Sequence, residues 1–213
     1  MLSYFLIILV GMVAGILGAI IGVGGAVVML PATQFLLNLS TVDSIGTTLF
    51  AVMFTALSGA WGHYRQGNVN VSWGLRVGLG GLLGVVLGSY LFKEYLSTQE
   101  HVLTLMLAVL FAFLTIRMAK DTWQDIRNHD RIQTQVIPKA PLWTMPIVGL
   151  VVGCLTGILG MGGGFLIVPA MMWLYGAPHY LAVGTTLMSI FPITAVGAFT
   201  KLSQGFVVLP IAL

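Results

Sequence analysis

Two glycine clusters carry the backbone groups best suited to hold a small solute. They occupy residues 22–25 and 160–164, inside two of the most apolar stretches of the chain. Glycine readily unwinds a helix, and the amides at a new helix N-terminus carry partial positive charge. Such amides are a ready site for an anion. The clusters therefore predict two backbone pockets for a negatively charged solute, the alternative being that these glycines only allow close helix packing.

Side chains that could assist such a pocket follow each cluster. Thr47 and Thr48 correspond to Thr185 and Thr186, and Lys201 lies later in the second half. Threonine hydroxyls can donate to an oxyanion, although in a helix they also bond their own backbone carbonyls. Lysine can neutralise an anion, although near a helix end its side chain can reach the membrane surface instead. Both alternatives stay open for these residues.

The candidate substrate-binding residues share a place in or near these two clusters. They are Gly22, Gly24, Gly25, Thr47, Thr48, Gly160, Gly162, Gly163, Gly164, Thr185, Thr186 and Lys201.

Other chemistries lack their motifs. The histidines are dispersed, so no metal centre is expected. The second glycine cluster lacks the Lys-Ser/Thr that completes a phosphate-binding loop. No nucleophile motif or helix-borne histidine pair is present. We therefore expect neither enzymatic activity nor a cofactor, and any driving energy would come from a gradient or another subunit.

Composition places the chain in a membrane. Only 7% of its 213 residues are charged and 58% are hydrophobic, whereas soluble domains have about 25% charged residues. The mean hydropathy is +1.01. Six apolar segments are long enough to cross a bilayer. They should be helical, because backbone N–H and C=O groups in lipid must form their hydrogen bonds within the segment. The segments are 4–37, 45–63, 73–92, 102–118, 143–175 and 181–200.

The first and fifth segments are too long for one straight crossing. At about 1.5 Å per residue the first would reach roughly 50 Å, beyond the hydrocarbon core of about 30 Å. We expect both to break at their glycine clusters. The fold class is thus an all-α polytopic membrane protein with glycine-broken helices.

A duplication is the simplest explanation for the similarity between the two halves of the sequence. Gly11 aligns on Gly149, and the register continues without a gap to Val69 and Val207. It pairs the glycine clusters, the prolines that follow them, and two "GTTL" sequences. We predict a first transmembrane repeat over 1–119, a charged linker over 120–142 and a partial second repeat over 143–213.

Basic residues set the expected orientation. Arg117, Lys120, Arg127, Arg131 and Lys139 cluster around the linker, which should therefore be cytoplasmic. The net charge of +3 reflects this orientation and does not indicate a nucleic-acid partner. If each broken segment crosses once, the repeats are parallel, which the charges favour. If it forms a hairpin, the repeats are inverted, as in many transporters.

The second glycine cluster followed by "VPA" (168–170) and "AVGTTL" (182–187) resembles the TauE/SafE sulfite-exporter family. The resemblance covers nearly the whole chain. It implies movement of sulfite, sulfonates or related anions across the cytoplasmic membrane, and it maps the family's glycine and hydroxyl motifs onto the candidate residues above. The second half is expected to be about two helices short of the family pattern. A truncated chain and a small member completed by homo-oligomerisation both remain open.

The resulting hypothesis is a secondary transporter of a small sulfur-containing or organic anion in the inner membrane. The alternative is a non-transporting membrane scaffold or assembly subunit, in which the glycines serve only helix packing.

Overall fold

The computed structural model describes residues 2–127 and 140–212, and within these ranges the regular structure is entirely helical. A π-helical turn, Phe92–Leu96, follows the fourth helix, and a short 3-10 turn, Leu142–Thr144, precedes the sixth. The helices are α1 (Leu2–Ile21), α2 (Ala26–Leu37), α3 (Thr41–Arg65), α4 (Val71–Leu91), α5 (Glu100–Arg127), α6 (Met145–Leu159), α7 (Gly164–Tyr175), α8 (His179–Ser203) and α9 (Leu209–Ala212).

The helix bounds confirm the predicted breaks. Ile21 ends α1 and Ala26 begins α2, so residues 22–25 form the first glycine turn. Leu159 ends α6 and Gly164 begins α7, so residues 160–163 form the second glycine turn. Helix α5 continues through Arg127 and so includes the first residues of the predicted linker 120–142. Residues 128–139 of that linker lie outside the described part of the chain.

Four helical segments are long and apolar enough to cross a membrane: Thr41–Arg65, Val71–Leu96, Leu142–Leu159 and His179–Ser203. The shorter apolar helical segments are Ile8–Ile21 in α1, the whole of α2, Glu100–Ile116 in α5, and the whole of α7. The chain is therefore a multi-pass membrane protein of all-α class.

Each glycine turn reverses the chain into a hairpin. At the open end of the α6–α7 hairpin, the hydroxyls of Thr144 and Tyr175 are 2.8 Å apart, and the Ala140 amide donates to the Leu174 carbonyl. In the α1–α2 hairpin, Val10 in the middle of α1 lines the same groove as Leu37 at the end of the shorter α2. Each broken segment thus begins and ends at the same end of the molecule.

Helices α3 and α8 run antiparallel through the core. The amide of Val208, beyond the end of α8, donates to Thr47 Oγ1 near the start of α3 at 3.0 Å. The amide of Asn70, beyond the end of α3, donates to Thr185 Oγ1 near the start of α8 at 2.9 Å. Equivalent positions in the sequence thus make reciprocal contacts. This direction, together with the hairpins, opposes the parallel arrangement that the charges favour and fits the inverted one.

Helices α4 and α6 pack through small residues and run parallel. Methyl groups added at Gly84 and Gly88 would overlap the backbone of Leu150 and Cys154, and one at Gly149 would overlap the Val77 carbonyl. Backbones this close leave no room for side chains. These contacts hold the α6–α7 hairpin against α4 and so fix the position of the second glycine turn.

The equivalent glycines Gly11 and Gly149 should respond differently to alanine. In Gly149→Ala the new methyl meets backbone, and overpacking of this kind costs about 1–3 kcal/mol. At Gly11 nothing lies within 4 Å of the added atom, so Gly11→Ala should be neutral or stabilise the helix by up to about 1 kcal/mol. Thermal unfolding of the two purified variants in detergent measures the difference. Equal melting temperatures would contradict the close α4–α6 packing.

Candidate functional site

The two glycine turns meet in the protein interior. All residues of both turns are buried. A methyl on Gly164 would overlap the carbonyl oxygen of Gly22, so the tip of one hairpin touches the tip of the other. Both candidate glycine clusters of the sequence therefore belong to one central junction.

Backbone conformation explains why these positions are glycine. Six of them have φ values between 69° and 82°, in the left-handed region, which costs other residues about 1–2 kcal/mol. The six are Gly22, Gly24, Gly25, Gly160, Gly162 and Gly163. The chain can therefore leave one helix and start the next within four residues.

Val52 on α3 lies between the two turns. A methyl on Gly24 or on Gly162 would lie 2.8 Å from Val52 Cγ1. One helical turn further on, Thr55 Oγ1 donates to the Gly24 carbonyl and anchors the first turn to α3. The role of Val52 could not be predicted from the sequence, because valine is a common residue throughout an apolar helix.

The two turns differ in how their amides are used. In the first turn the amides of Gly22, Val23 and Gly24 all donate to the Gly18 carbonyl, at 3.0, 3.1 and 3.2 Å. In the second turn the Gly160 amide donates to the Thr156 carbonyl at 2.8 Å. Within the described chain, the amides of Met161, Gly162 and Gly163 have no acceptor.

Three successive amides are thus without an acceptor, and successive N–H groups that converge form anion sites called nests in other proteins. The residues of these three amides are buried. An unpaired buried donor costs about 1–3 kcal/mol, so such groups are rare in native proteins. A solute with acceptor oxygens would relieve that cost.

The predicted threonine pairs divide into two kinds of residue. The hydroxyls of Thr47 and Thr185 accept the amides of Val208 and Asn70, and so hold the segments that follow α8 and α3. Thr48 and Thr186 are fully buried, and neither hydroxyl has a hydrogen-bond partner in the described structure.

Thr48 lies on the face of α3 that contacts the second turn. Its neighbours on that face, one helical turn away on either side, are Ile45 and Val52. An atom added at Gly160 would lie 2.5 Å from the Ile45 carbonyl, and one at Gly162 would meet Val52. Thr48 is therefore on the side of α3 that contacts the second turn.

Thr186 has the corresponding position on α8. Val183, one turn before it, lies beside Gly22, and Ile190, one turn after it, lies beside Gly164. Thr48 and Thr186 thus lie on the helix faces whose neighbouring residues contact the hairpin tips.

Lys201 lies elsewhere. It is fully buried in the last turn of α8, so its side chain does not reach the surface as a helix-end lysine could. Its side-chain nitrogen lies over the ring of Phe92, with Nζ 2.8 Å from the centroid. No contact connects it to either glycine turn in the described structure. His63, its equivalent, is half-buried with Nε2 3.4 Å from the Ala19 carbonyl.

Metal ligands do not converge in the described part of the chain. No group of three or more His, Cys, Asp or Glu side chains there could hold a metal ion. The polar chemistry of the junction is therefore that of amides and hydroxyls.

Comparison with known proteins identifies the family. The family model for the sulfite exporter TauE/SafE matches residues 7–213. The chain belongs to the TauE/SafE family. No solved structure matches it.

Relatives in this family are named as transporters. The chain is 28% identical to the probable membrane transporter protein YunE of Bacillus subtilis, over 97% of this chain and 81% of YunE. It is 30% identical to the probable membrane transporter protein YdhB of the same organism, over 95% of this chain and 80% of YdhB. A probable membrane transporter protein of Methanocaldococcus jannaschii is 24% identical over 98% of this chain and 79% of its own length.

This TauE/SafE protein is therefore a membrane transporter rather than an enzyme, and it works in a lipid bilayer on a small transported substrate. The names of these relatives do not identify that substrate.

Proposed function

We propose that this chain is a secondary transporter of a small sulfur-containing or organic anion, such as sulfite or a sulfonate. The anion is held at the junction of the hairpin tips, by the amides of Met161, Gly162 and Gly163 and by the hydroxyls of Thr48 and Thr186. The observation that carries this proposal is that these buried donors have no acceptor in the described structure.

The donor set suits an oxyanion. Sulfite and sulfonates each present several acceptor oxygens around one sulfur atom, and hydrogen bonds to a charged acceptor are worth about 1.5–3 kcal/mol each. The buried apolar side chains of Val52 and Ile190 lie beside Gly162, and a low local dielectric strengthens such bonds. Neutral donors also avoid the cost of a fixed buried charge when the site is empty.

The arrangement of the helices suits alternating access. The hairpins α1–α2 and α6–α7 have their open ends at opposite ends of α3, and their tips meet where the anion would lie. Rocking one hairpin and its supporting helices against the other would open the junction to one side at a time. The first glycine turn, with Gly22, Gly24 and Gly25, would then move toward and away from the second glycine turn, which it contacts.

The proposed setting is the cytoplasmic membrane, with the basic segment 120–142 on the cytoplasmic side. This orientation rests on the positive residues of that segment. It places the open end of the α6–α7 hairpin on the cytoplasmic side as well, because that hairpin follows the segment directly.

Uptake of radiolabelled sulfite by proteoliposomes tests the proposal. The wild-type protein should give saturable uptake that unlabelled methanesulfonate reduces and chloride does not. Sulfite should also raise the melting temperature of the purified protein in a concentration-dependent way. Uptake equal to that of protein-free liposomes, together with no thermal response to sulfite or sulfonate, would favour the scaffold function instead.

A further inference from the structure

A second group of unpartnered polar atoms lies where α4 and α8 end. Lys201 Nζ, Ser89 Oγ and Gln204 Oε1 are buried and have no hydrogen-bond partner in the described structure. The rings of Phe92 and Phe206 line the same place, with centroids 5.5 Å apart. We call these five residues the lysine chamber.

The chamber is held together by contacts between the two helix ends. Gln204 Nε2 lies 3.4 Å from the Ser89 carbonyl, and Lys201 Nζ lies 2.8 Å from the Phe92 ring centroid and 5.9 Å from that of Phe206. Ser89 and Lys201 are both 0% exposed. The chamber is thus part of the packed interior.

A lysine amine that takes up a proton in such a place needs a counter-charge. Charged side chains inside a membrane protein are costly unless they are paired, and they commonly mark ion or substrate pathways. The Phe92 ring supplies a partial attraction, but it cannot accept a hydrogen bond of ordinary strength. Nζ has no acceptor among the described residues, so that part of the protein offers no counter-charge to the protonated form.

We infer that the lysine chamber is a second binding position for the transported anion, separate from the hairpin junction. In its protonated form, Lys201 would leave the Phe92 ring to pair with an anion oxygen, while the Ser89 hydroxyl donates to another. Charge-assisted bonds of this kind are among the strongest in proteins. This inference rests on the proposed function, because it assumes that a small oxyanion is the substrate.

The place of the chamber suggests its role. It lies where α4 and α8 end, beside the start of α3, because Phe206 packs against Gly46. This is the end of the molecule opposite to the open end of the α6–α7 hairpin. An anion there would occupy an access position on the way to or from the junction.

Thermal shift titrations with sulfite test the chamber on the full-length protein in detergent. Lys201→Met should weaken the apparent sulfite affinity by about 10-fold or more, as expected for a lost charge-assisted bond. Lys201→Arg should keep most of it, and Ser89→Ala should lower it by a smaller factor. Lys93→Met is the matched control, because Lys93 is exposed at the same end of α4 and its loss changes the net charge equally.

An unchanged sulfite titration in Lys201→Met, with or without a higher melting temperature, would overturn the chamber and leave Lys201 as a packing residue. Equal loss in Lys93→Met would also overturn it, because a general charge effect would then suffice. Loss of transport in Thr48→Val with normal titration and transport in Lys201→Met would reject the chamber while the proposed function stands. Sulfite binding that depends on Lys201, in a protein that gives no sulfite flux, would reject the proposed transport function and leave the chamber as an anion-binding site.

Discussion

Replacing Thr48 with valine is expected to reduce sulfite transport by about 10- to 100-fold, because one hydrogen bond to the anion is lost at about 1.5–3 kcal/mol. The protein should not become less stable. Valine has nearly the same shape, and the hydroxyl it replaces is buried without a partner. Proteoliposome uptake and thermal unfolding measure the two effects separately. Thr186→Val should behave in the same way.

The neighbouring threonines provide the matched control. Thr47→Val removes the acceptor of the Val208 amide, and Thr185→Val that of the Asn70 amide. Both should lose about 0.5–1.5 kcal/mol of stability, the net value of a typical hydrogen bond, since each of these bonds is part-buried. If Thr48→Val proves as destabilising as Thr47→Val and its transport loss merely follows the amount of folded protein, the binding role of Thr48 is wrong.

Gly162→Ala is expected to remove transport below detection. The residue has φ 69°, which costs alanine about 1–2 kcal/mol, and the new methyl would lie 2.8 Å from Val52 Cγ1. Relieving that contact displaces the turn and with it the adjacent unpaired amides, each worth about 1.5–3 kcal/mol to a bound anion. Uptake and sulfite-induced thermal shift should fall together, while the protein still reaches the membrane.

Two further variants separate the strain of the positive φ from the contact with Val52. Gly67→Ala has a similar φ of 73° but nothing within 4 Å of the added atom, so it should lose stability without losing sulfite affinity. Val52→Ala combined with Gly162→Ala removes the contact and should recover part of the transport. Full transport in Gly162→Ala alone would show that the second turn does not bind the anion.

The glycine breaks could be predicted because length and residue type both required them. A segment such as 4–37 exceeds one crossing, and its glycines are the positions where a helix breaks at least cost. The hairpin that results could not be derived in the same way. Whether the chain continues or reverses after Gly25 depends on which helices it packs against, and the charges pointed to the other arrangement.

The candidate site could be predicted in outline only. The two "GTTL" sequences identified Thr48 and Thr186, but nothing in them distinguishes these residues from Thr47 and Thr185. That difference arises from amides supplied by Asn70 and Val208, which come from distant parts of the chain. The unequal use of amides in the two turns is likewise a tertiary effect, since both turns contain the same glycine pattern.

The lysine chamber shows the same limit. Lys201 was recognisable as an ionisable residue in an apolar helix, whereas Ser89 and Gln204 were not distinguishable from ordinary helix-end residues. Their shared environment depends on the antiparallel pairing of α8 with α3 and on how α4 ends against α8.

The most direct test of the central claim is the anomalous scattering of selenite, a heavier analogue of sulfite, bound to the crystallised protein. The account predicts a selenium peak at the hairpin junction, with anion oxygens within about 3 Å of the Gly162 amide and the Thr48 hydroxyl. A peak confined to any other place, the lysine chamber included, would contradict it.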